Sequence, residues 1–563
     1  MSRTKQYSVS PIAAAVSAAL VTPAAVLAQE GAVLEEIIVT ATKREQNLQK
    51  VPASIQALPE AMLKEMGALN TQDYARFMPS VNWISTAAGN NQIIFRGVHT
   101  STGAFTMTRS SSVYLDEIPI TSTAGDSPDV RMLDVSRVEA LSGPQGTLFG
   151  AAAQSGILRI ITNQPDTSQF EASADVQFST GETSDPSHSI TGVFNLPLIE
   201  DKFAIRIAAQ SAVDGGYVDN ILGHTPDTWY GETAAESAAA ADTCLPFDDP
   251  AGKKKRDWGC DRLTWGSHLN DDVVEENWNS AEHTNLRISA RWEMTDAVAA
   301  TLAYHYGRND SQGNSTYNPF VGDLQTIGFV KNQSESEWEM ASLTIEADLG
   351  FAQFVSATSF YENQRTYVND TTLYYHYYMA RFYCTDQGVA PSPTYYLWDN
   401  PDTGRAIYNP RYCSLFPTTN PTGDVTQLPD IVGAGEGPEW QDRFTQEIRL
   451  SAQGETFDWL AGLYYEESND SWNGVWIKSA NVPFQESMAY AAIRDCFEGP
   501  SSITNPPDEL GDSYRWGCHT GSNAVNNADP AIVAASLITA DHLWDSRDDT
   551  DWETKAVFGE LTW

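Results

Sequence analysis

The sequence is short of basic residues, of long apolar runs and of the residue patterns that catalysis needs. Only 34 Lys and Arg stand against 74 Asp and Glu, a formal charge of −40. That balance excludes nucleic acid as a partner, because phosphates require a basic face. The run Lys253-Lys254-Lys255-Arg256 is the exception and reads as a solvated turn, with lipopolysaccharide phosphate as a lesser alternative. After residue 28 there is no stretch of about 18 apolar residues, so no helix can cross a membrane, and a membrane protein of this composition has to be a barrel. The chain has no Gly-x-Ser-x-Gly elbow, no His-Glu-x-x-His helix and no supported cluster of His with carboxylates. No enzyme is expected, and no cofactor or metal is implied. Acidic pairs such as Asp248-Asp249 and Asp548-Asp549 read as loop charges, with Ca²⁺ as the weaker alternative.

Cysteine is scarce too, six in all, and falls into three local pairs: Cys244 with Cys260, Cys384 with Cys413, and Cys496 with Cys518. Residues 1–28 explain the compartment. Arg3 and Lys5 precede an apolar stretch, and Val26-Leu27-Ala28 ends it as a cleavage signal, so these residues read as a secretory signal peptide. An exported chain meets oxidising conditions, and three loop-closing disulfides are expected rather than metal sites, since no Cys-x-x-Cys pair occurs. No Cys sits at the cut, which excludes a lipoprotein.

What is present begins with Glu35-Glu36-Ile37-Ile38-Val39-Thr40-Ala41-Thr42-Lys43-Arg44, a short β-prone run with charged ends and no local partner. Such a segment can add itself to the sheet edge of another protein, and it can equally be the first strand of a folded domain. Next come a strand near residues 54–58 and two helices. Pro59-Glu60 opens the first, Thr71-Gln72-Asp73 caps the second, and Tyr74, Phe77 and Met78 are expected to face inward. Strands at residues 93–98 and 112–120 complete a small α+β domain. The turn Gly143-Pro144-Gln145-Gly146 has no Gly-Lys-Ser/Thr ending, so it is a structural turn and not a phosphate loop.

From Phe170 the period changes to two. Leu286, Ile288, Ala290, Trp292 and Met294 alternate with Arg287, Ser289, Arg291 and Glu293, and Ala341, Leu343, Ile345, Ala347 and Leu349 with Ser342, Thr344, Glu346 and Asp348. Such alternation over about ten residues marks a transmembrane β-strand. Ten strands are expected, near 168–180, 187–199, 201–212, 284–294, 298–309, 337–349, 352–366, 442–453, 456–469 and 551–563. Tight turns at residues 200–201, 295–296, 349–351 and 454–455 alternate with mostly long connections, chiefly 213–283, 370–441 and 470–550, which hold all six cysteines. Short turns on one side and long loops on the other belong to an outer-membrane barrel. Tyr304, Tyr306, Phe360, Tyr361, Trp459, Tyr464 and Tyr465 fit interface girdles, or simple strand propensity.

These segments together resemble the TonB-dependent outer-membrane receptors. Residues 35–44 look like a TonB box. Phe95-Arg96-Gly97-Val98, Val113-Tyr114-Leu115-Asp116 and the run 138–150 are similar to three plug motifs in the family's order. Ser142 stands where the family usually has Arg, and Ser155-Gly156-Ile157-Leu158-Arg159 where it has Gly-Gly-Ala-Ile-Asn. The resemblance implies an α+β plug domain followed by an antiparallel transmembrane β-barrel, with a signal peptide at 1–28, a periplasmic tail at 29–44, the plug at 45–165 and partial barrel at 166–563. Glu36, Ile37, Ile38, Val39, Thr40 and Ala41 are then the TonB-binding residues. Arg96, Gly97, Tyr114, Asp116, Arg137, Glu139, Gly143, Pro144, Gln145, Gly146 and Gly150 are the plug-motif residues.

Plug Arg to barrel Glu pairing is expected by the same resemblance, with Arg96 and Arg137 as donors and Glu447 as a partner. His99, Thr100 and Arg109, with aromatic loops at 374–383 and 472–476, are the expected ligand-facing positions. The implied partners are TonB with its inner-membrane energising complex, outer-membrane lipid, and a small-molecule or metal-chelate ligand, by default a ferric siderophore, bound by a monomer. Vitamin B12, oligosaccharides and other chelates use the same architecture, and an ungated porin or adhesin is the further alternative. Plugged transporters of this kind have about 22 strands. The ten found here imply a truncated chain, and about seven residues between the signal peptide and Glu36 leave no room for a signalling domain.

Overall fold

Strand-forming residues fall into two populations, one packed on all sides and one with a face turned outward. The computed structural model describes residues 38–40, 42–44, 46–51, 53–87, 90–98, 110–121, 128–150, 153–223, 247–248, 254–255, 269–318, 321–372, 432–454, 456–479 and 545–563.

The first population builds the inner domain. Its elements are β1 (Ile38–Val39), β2 (Gln46–Asn47), β3 (Ser54–Pro59), α1 (Glu60–Glu65), α2 (Thr71–Ala75), β4 (Val81–Ala87), β5 (Asn90–Phe95), β6 (Ser111–Leu115), β7 (Ile118–Pro119), β8 (Val135–Ser142), α3 (Gly146–Phe149) and β9 (Gly156–Thr162). A five-stranded sheet runs β3-β8-β9-β6-β7, antiparallel except where β6 lies parallel to β9. Helix α2 starts one residue earlier than expected. Asn70, not Thr71, is the N-cap, and Asn70 and Asp73 exchange side-chain-to-backbone hydrogen bonds in a capping box. Tyr74 and Met78 are buried as expected, but Phe77 is exposed, because the helix ends at Ala75 and the turn points that ring away.

The expected strand over 112–120 is two strands. At residues 116 and 117 the chain reverses, with Asp116 at φ 54°, and Leu115 pairs Ile118. Phe95 and Val98 bracket a similar two-residue turn in which Arg96 and Gly97 both have positive φ, 50° and 76°, the type I′ pattern that glycine favours. Gly156 is required for another reason: a Cβ there would lie 2.5 Å from the Phe95 ring and 2.6 Å from the Leu141 carbonyl oxygen.

The second population is a ten-stranded antiparallel meander in which every neighbour in space is the next long strand in sequence. It comprises β10 (Glu171–Ser179), β11 (Ser187–Ile199), β12 (Phe203–Asp214), β16 (Ala281–Thr295), β17 (Val298–Gln312), β19 (Gln333–Asp348), β20 (Gln353–Asp370), β21 (Gly433–Ala452), β22 (Asp458–Ser479) and β23 (Asp545–Thr562). Two-residue pairs fill the intervals: β13 (Asp219–Asn220) with β18 (Gln325–Thr326), and β14 (Phe247–Asp248) with β15 (Lys254–Lys255). The tight turns after β11, β16, β19 and β21 lie at one end of the sheet, and the longer connections at the other.

All ten expected strands are there, but β21, β22 and β23 begin or end up to ten residues further toward the long-connection end. A strand of about 9–11 residues crosses a bilayer. Beyond it both faces meet water, so the pairing continues while the apolar alternation that reveals a strand fades. Residues 472–476, expected in a loop, lie within β22 for this reason.

Outward positions carry exposed apolar side chains, including Ile190, Phe194, Ile288, Trp292, Leu302, Phe360 and Leu463, whereas inward positions carry Arg206, Arg287, Ser289, Arg443 and Glu447, all buried. Tyr361 and Tyr464 depart from the girdle expectation. Tyr361 is buried with Trp338 and Met340 in the same apolar core as Leu58, Phe95, Leu115 and Ile160, and Tyr464 stands opposite inward-facing Glu447. An even step from a lumen residue along a strand returns to the lumen, whatever the side chain's chemistry.

Candidate functional site

The short run at 38–40 is not a free strand. Ile38 and Val39 pair antiparallel with Asn47 and Gln46, and Val39 is fully buried in a second apolar cluster with Val51, Tyr114, Leu141, Phe149 and Ile157. Burying one valine contributes about 1.5–3 kcal/mol. The next residue decides the orientation. The Thr40 backbone N–H donates to Glu139 Oε1 (3.0 Å), while its hydroxyl accepts from Arg137 Nη2 (3.0 Å) and Arg159 Nη1 (2.9 Å). Glu139, itself fully buried on β8, also accepts from Arg137 Nε (2.8 Å) and Arg159 Nη1 (2.9 Å). Glu36, Ile37 and Ala41 lie outside the described residues.

From this point the charges run outward to the barrel wall. Arg159 Nη2 reaches Glu117 Oε1 at 3.2 Å, and Glu117 Oε2 accepts from Arg449 Nη1 of β21 at 2.9 Å. Arg449 also donates to Glu447 (2.8 Å), which accepts from Lys43 Nζ at 2.7 Å. Lys43 lies 3.7 Å from Glu117 and stands over the Phe149 ring, 4.9 Å from its centroid. Arg44 Nη2 donates to Glu560 of β23 at 2.9 Å. Burial opposes the charge on Glu117, but Arg449, Lys43 and Arg159 outweigh it and hold its carboxyl well below the usual range. All of this sits at the tight-turn end of the sheet, close to the ends of β21 and β23.

The expected pairing of plug Arg with barrel Glu therefore needs correction. Arg96 is exposed and donates to Ser54 Oγ at 2.9 Å, and Arg137 serves Glu139 and Thr40. Glu447 does face the lumen, but its partner from the inner domain's tail is Lys43. Elsewhere the sign is reversed, with the acid on the inner domain and Arg on the wall. Asp134 accepts from Arg206 Nε and Nη2, both at 2.7 Å, and from Arg287 Nη1 at 2.9 Å. One reverse case, Arg131 to Asp214, is two-pronged at 2.8 and 3.2 Å, with His283 on the same carboxylate at 3.1 Å.

Tyr114 donates its hydroxyl to the Phe149 carbonyl oxygen (2.7 Å) and meets that ring edge-on, and its burial pushes the phenol pKa up. Asp116 accepts from the Thr162 amide (2.8 Å) and hydroxyl, closing the β6–β7 turn onto β9. Gly143 and Gly150 have positive φ on either side of α3, which Gly146 begins, while the Gln145 amide donates to Ala153 (2.8 Å) and Pro144 is exposed. His99, Thr100 and Arg109, the segment 374–383, and Cys244, Cys260, Cys384, Cys413, Cys496 and Cys518 lie outside the described residues. Among the described residues no group of His, Cys, Asp or Glu is arranged to hold a metal ion.

Asp134, Glu117, Arg159 and Arg449 were not singled out by the sequence reading. Two signals could have found them: an Arg inside the apolar strand Ile157-Leu158-Arg159-Ile160-Ile161, and charged side chains on the lumen face of alternating strands.

Residues 47–157 match the family described as TonB-dependent Receptor Plug Domain. The chain is 33% identical over 136 residues to the Pesticin receptor of Yersinia pestis, a stretch covering 23% of this chain and 19% of that one. It is 28% identical over 158 residues to the Vitamin B12 transporter BtuB of Vibrio vulnificus, covering 27% and 25%. Among solved structures, the ferric yersiniabactin uptake receptor FyuA from Yersinia pestis aligns with a TM-score of 0.48 at 15% identity, over 75% of this chain and 50% of that one. The matched stretches thus span between about a fifth and a half of these relatives' lengths.

Proposed function

We propose that this chain, which belongs to the TonB-dependent receptors, takes up a scarce extracellular ligand across the outer membrane of a Gram-negative cell. Force is delivered to residues 36–41 by TonB and its inner-membrane energising complex. The observation that carries the reading is the docking of Thr40. A β-prone segment at the tight-turn end is held by one buried valine and three polar contacts to Glu139, Arg137 and Arg159, so it is secured at rest yet short enough to be captured by a neighbouring sheet edge. The segment reading follows the same line: export signal at 1–28, periplasmic tail at 29–44, plug at 45–165 and barrel wall from 166. The family is one of transport receptors.

The ligand class is a metal chelate, a ferric siderophore by family default. The relatives' names attach pesticin and vitamin B12 to those proteins, so the same fold serves other cargo. The charge of −40 favours a neutral or cationic complex over a strongly anionic one. Deletion of residues 35–42 tests the reading: cells should bind the ligand at the wild-type level and fail to accumulate it. Accumulation that survives the deletion points instead to an ungated porin.

A further inference from the structure

Strand β7 is the edge of the plug sheet, paired to β6 by Tyr114 with Pro119 and Leu115 with Ile118. Its other edge pairs with no strand among the described residues. Instead Arg443 of β21, buried in the barrel wall, donates Nη1 to the Pro119 carbonyl oxygen (3.0 Å) and Nη2 to the Thr121 carbonyl oxygen (2.6 Å). Carbonyls two residues apart point the same way from an extended strand, and one guanidinium supplies two donors for them. Pro119 has no N–H that this arrangement leaves unpaired.

Four residues back along the strip is Glu117, held by Arg449 of the same barrel strand and by Arg159, which also holds Thr40. Arg443 and Arg449 are six residues apart on β21, about 20 Å along a strand. The strip 117–121 thus spans from the coupling segment's anchor at the tight-turn end toward the long-connection end, with a barrel arginine at each extremity. A two-residue edge pairing is weak, so the strip's placement depends on the two arginines that clasp it.

We propose that the strip 117–121 is the coupling element that links the long-connection side of the barrel to residues 38–44, with Arg159 as the positioning residue that joins Glu117 to Thr40. The inference rests on the uptake reading above for what the coupling serves. Loss of the Arg443 clasp frees the strip, moves Glu117 off Arg449, and takes from Arg159 the carboxylate that balances it between Glu117 and Glu139. Thr40 is then less well held. By linkage the effect is reciprocal, so release of Thr40 loosens the strip.

Hydrogen–deuterium exchange on the whole receptor in membrane vesicles tests this. The amides of Val113 and Ile120, which bond Thr121 Oγ1 and the Val113 carbonyl oxygen, report the strip, and those of residues 38–44 report the tail. Arg443→Gln should raise exchange about tenfold in both. Arg131→Gln, at the separate contact with Asp214, should leave 38–44 unchanged. If Arg443→Gln speeds the strip while 38–44 keep the wild-type rate, the coupling is wrong. Should that variant fail to insert, Thr40→Ala decides it from the other end: faster exchange at Ile120 is expected, and an unchanged rate overturns the proposal. A peptide of residues 33–45 that fails to bind the periplasmic domain of TonB counts against the uptake reading and leaves the exchange result standing.

Discussion

On one side of the plug Asp134 sits between Arg206 and Arg287; on the other Glu117 sits between Arg449, Arg159 and Lys43. Both are carboxylates of the inner domain that pair with arginine of the wall. At Asp134 every partner belongs to one of the two bodies, and nothing a neighbouring protein does at the tail alters the contact. At Glu117 the tail supplies one cation directly and contacts another through Thr40, so the contact's energy depends on where the tail lies. The first is a fixed anchor and the second a conditional one, although their chemistry is the same.

The sharpest way to break that distinction is to remove the fixed anchor. Asp134→Ala leaves buried Arg287 without its carboxylate and Arg206 with Glu171 alone, and a buried pair broken in this way costs about 3–5 kcal/mol. The urea midpoint for plug unfolding should fall accordingly, while alkylation of a cysteine placed at exposed Ile38 stays at its wild-type rate. Next in size, Glu139→Gln takes the buried carboxylate from Thr40, Arg137 and Arg159. Charged hydrogen bonds of this kind contribute about 1.5–3 kcal/mol, so alkylation at position 38 should quicken by at least about tenfold. Equal alkylation in the two variants would erase the contrast.

Acid should act on the conditional anchor late. A carboxyl whose folded pKa is depressed contributes stability that is complete above its unfolded value, about 4.3, and is lost progressively as pH falls from there through the folded value. Pepsin cleavage within 38–44 should therefore stay slow as pH falls through about 4 and accelerate only below it, and Glu117→Gln should remove that acceleration. A midpoint at the ordinary glutamate value would show that the three cations do not hold Glu117 as described. The smallest effect belongs to Arg44, whose partner Glu560 is about one-third exposed. Arg44→Ala should shift tail exchange by less than about 1 kcal/mol.

Much of the architecture was legible because it rests on local rules. Period-two alternation located all ten wall strands, since lipid or water on one side and a packed lumen on the other impose opposite chemistry on successive residues. Gly143 marked a real turn because its positive φ is a property of the backbone itself, whereas Gly97, read as part of a strand over 93–98, lies in the turn that follows the end of β5 at Phe95. The misses have separate causes. Phe77 was misplaced because its exposure depends on the helix ending at Ala75, Tyr361 and Tyr464 because aromatic chemistry outweighed the strand period that turns them inward, and residues 472–476 because strands that leave the membrane lose the pattern that reveals them.

The sequence by itself determined the order of plug motifs and alternating strands, and with them the fold class. It also determined which barrel side chains face inward, because strand geometry leaves no choice. Only the tertiary structure decided who meets whom. Lys43 and Glu447 are 404 residues apart, and Arg159 reaches Thr40 across 119. A charge in the lumen must find an opposite charge, but periodicity fixes only the face and not the depth of each residue. Depth is set when the plug seats in the wall, and that seating made Lys43, rather than Arg96 or Arg137, the partner of Glu447.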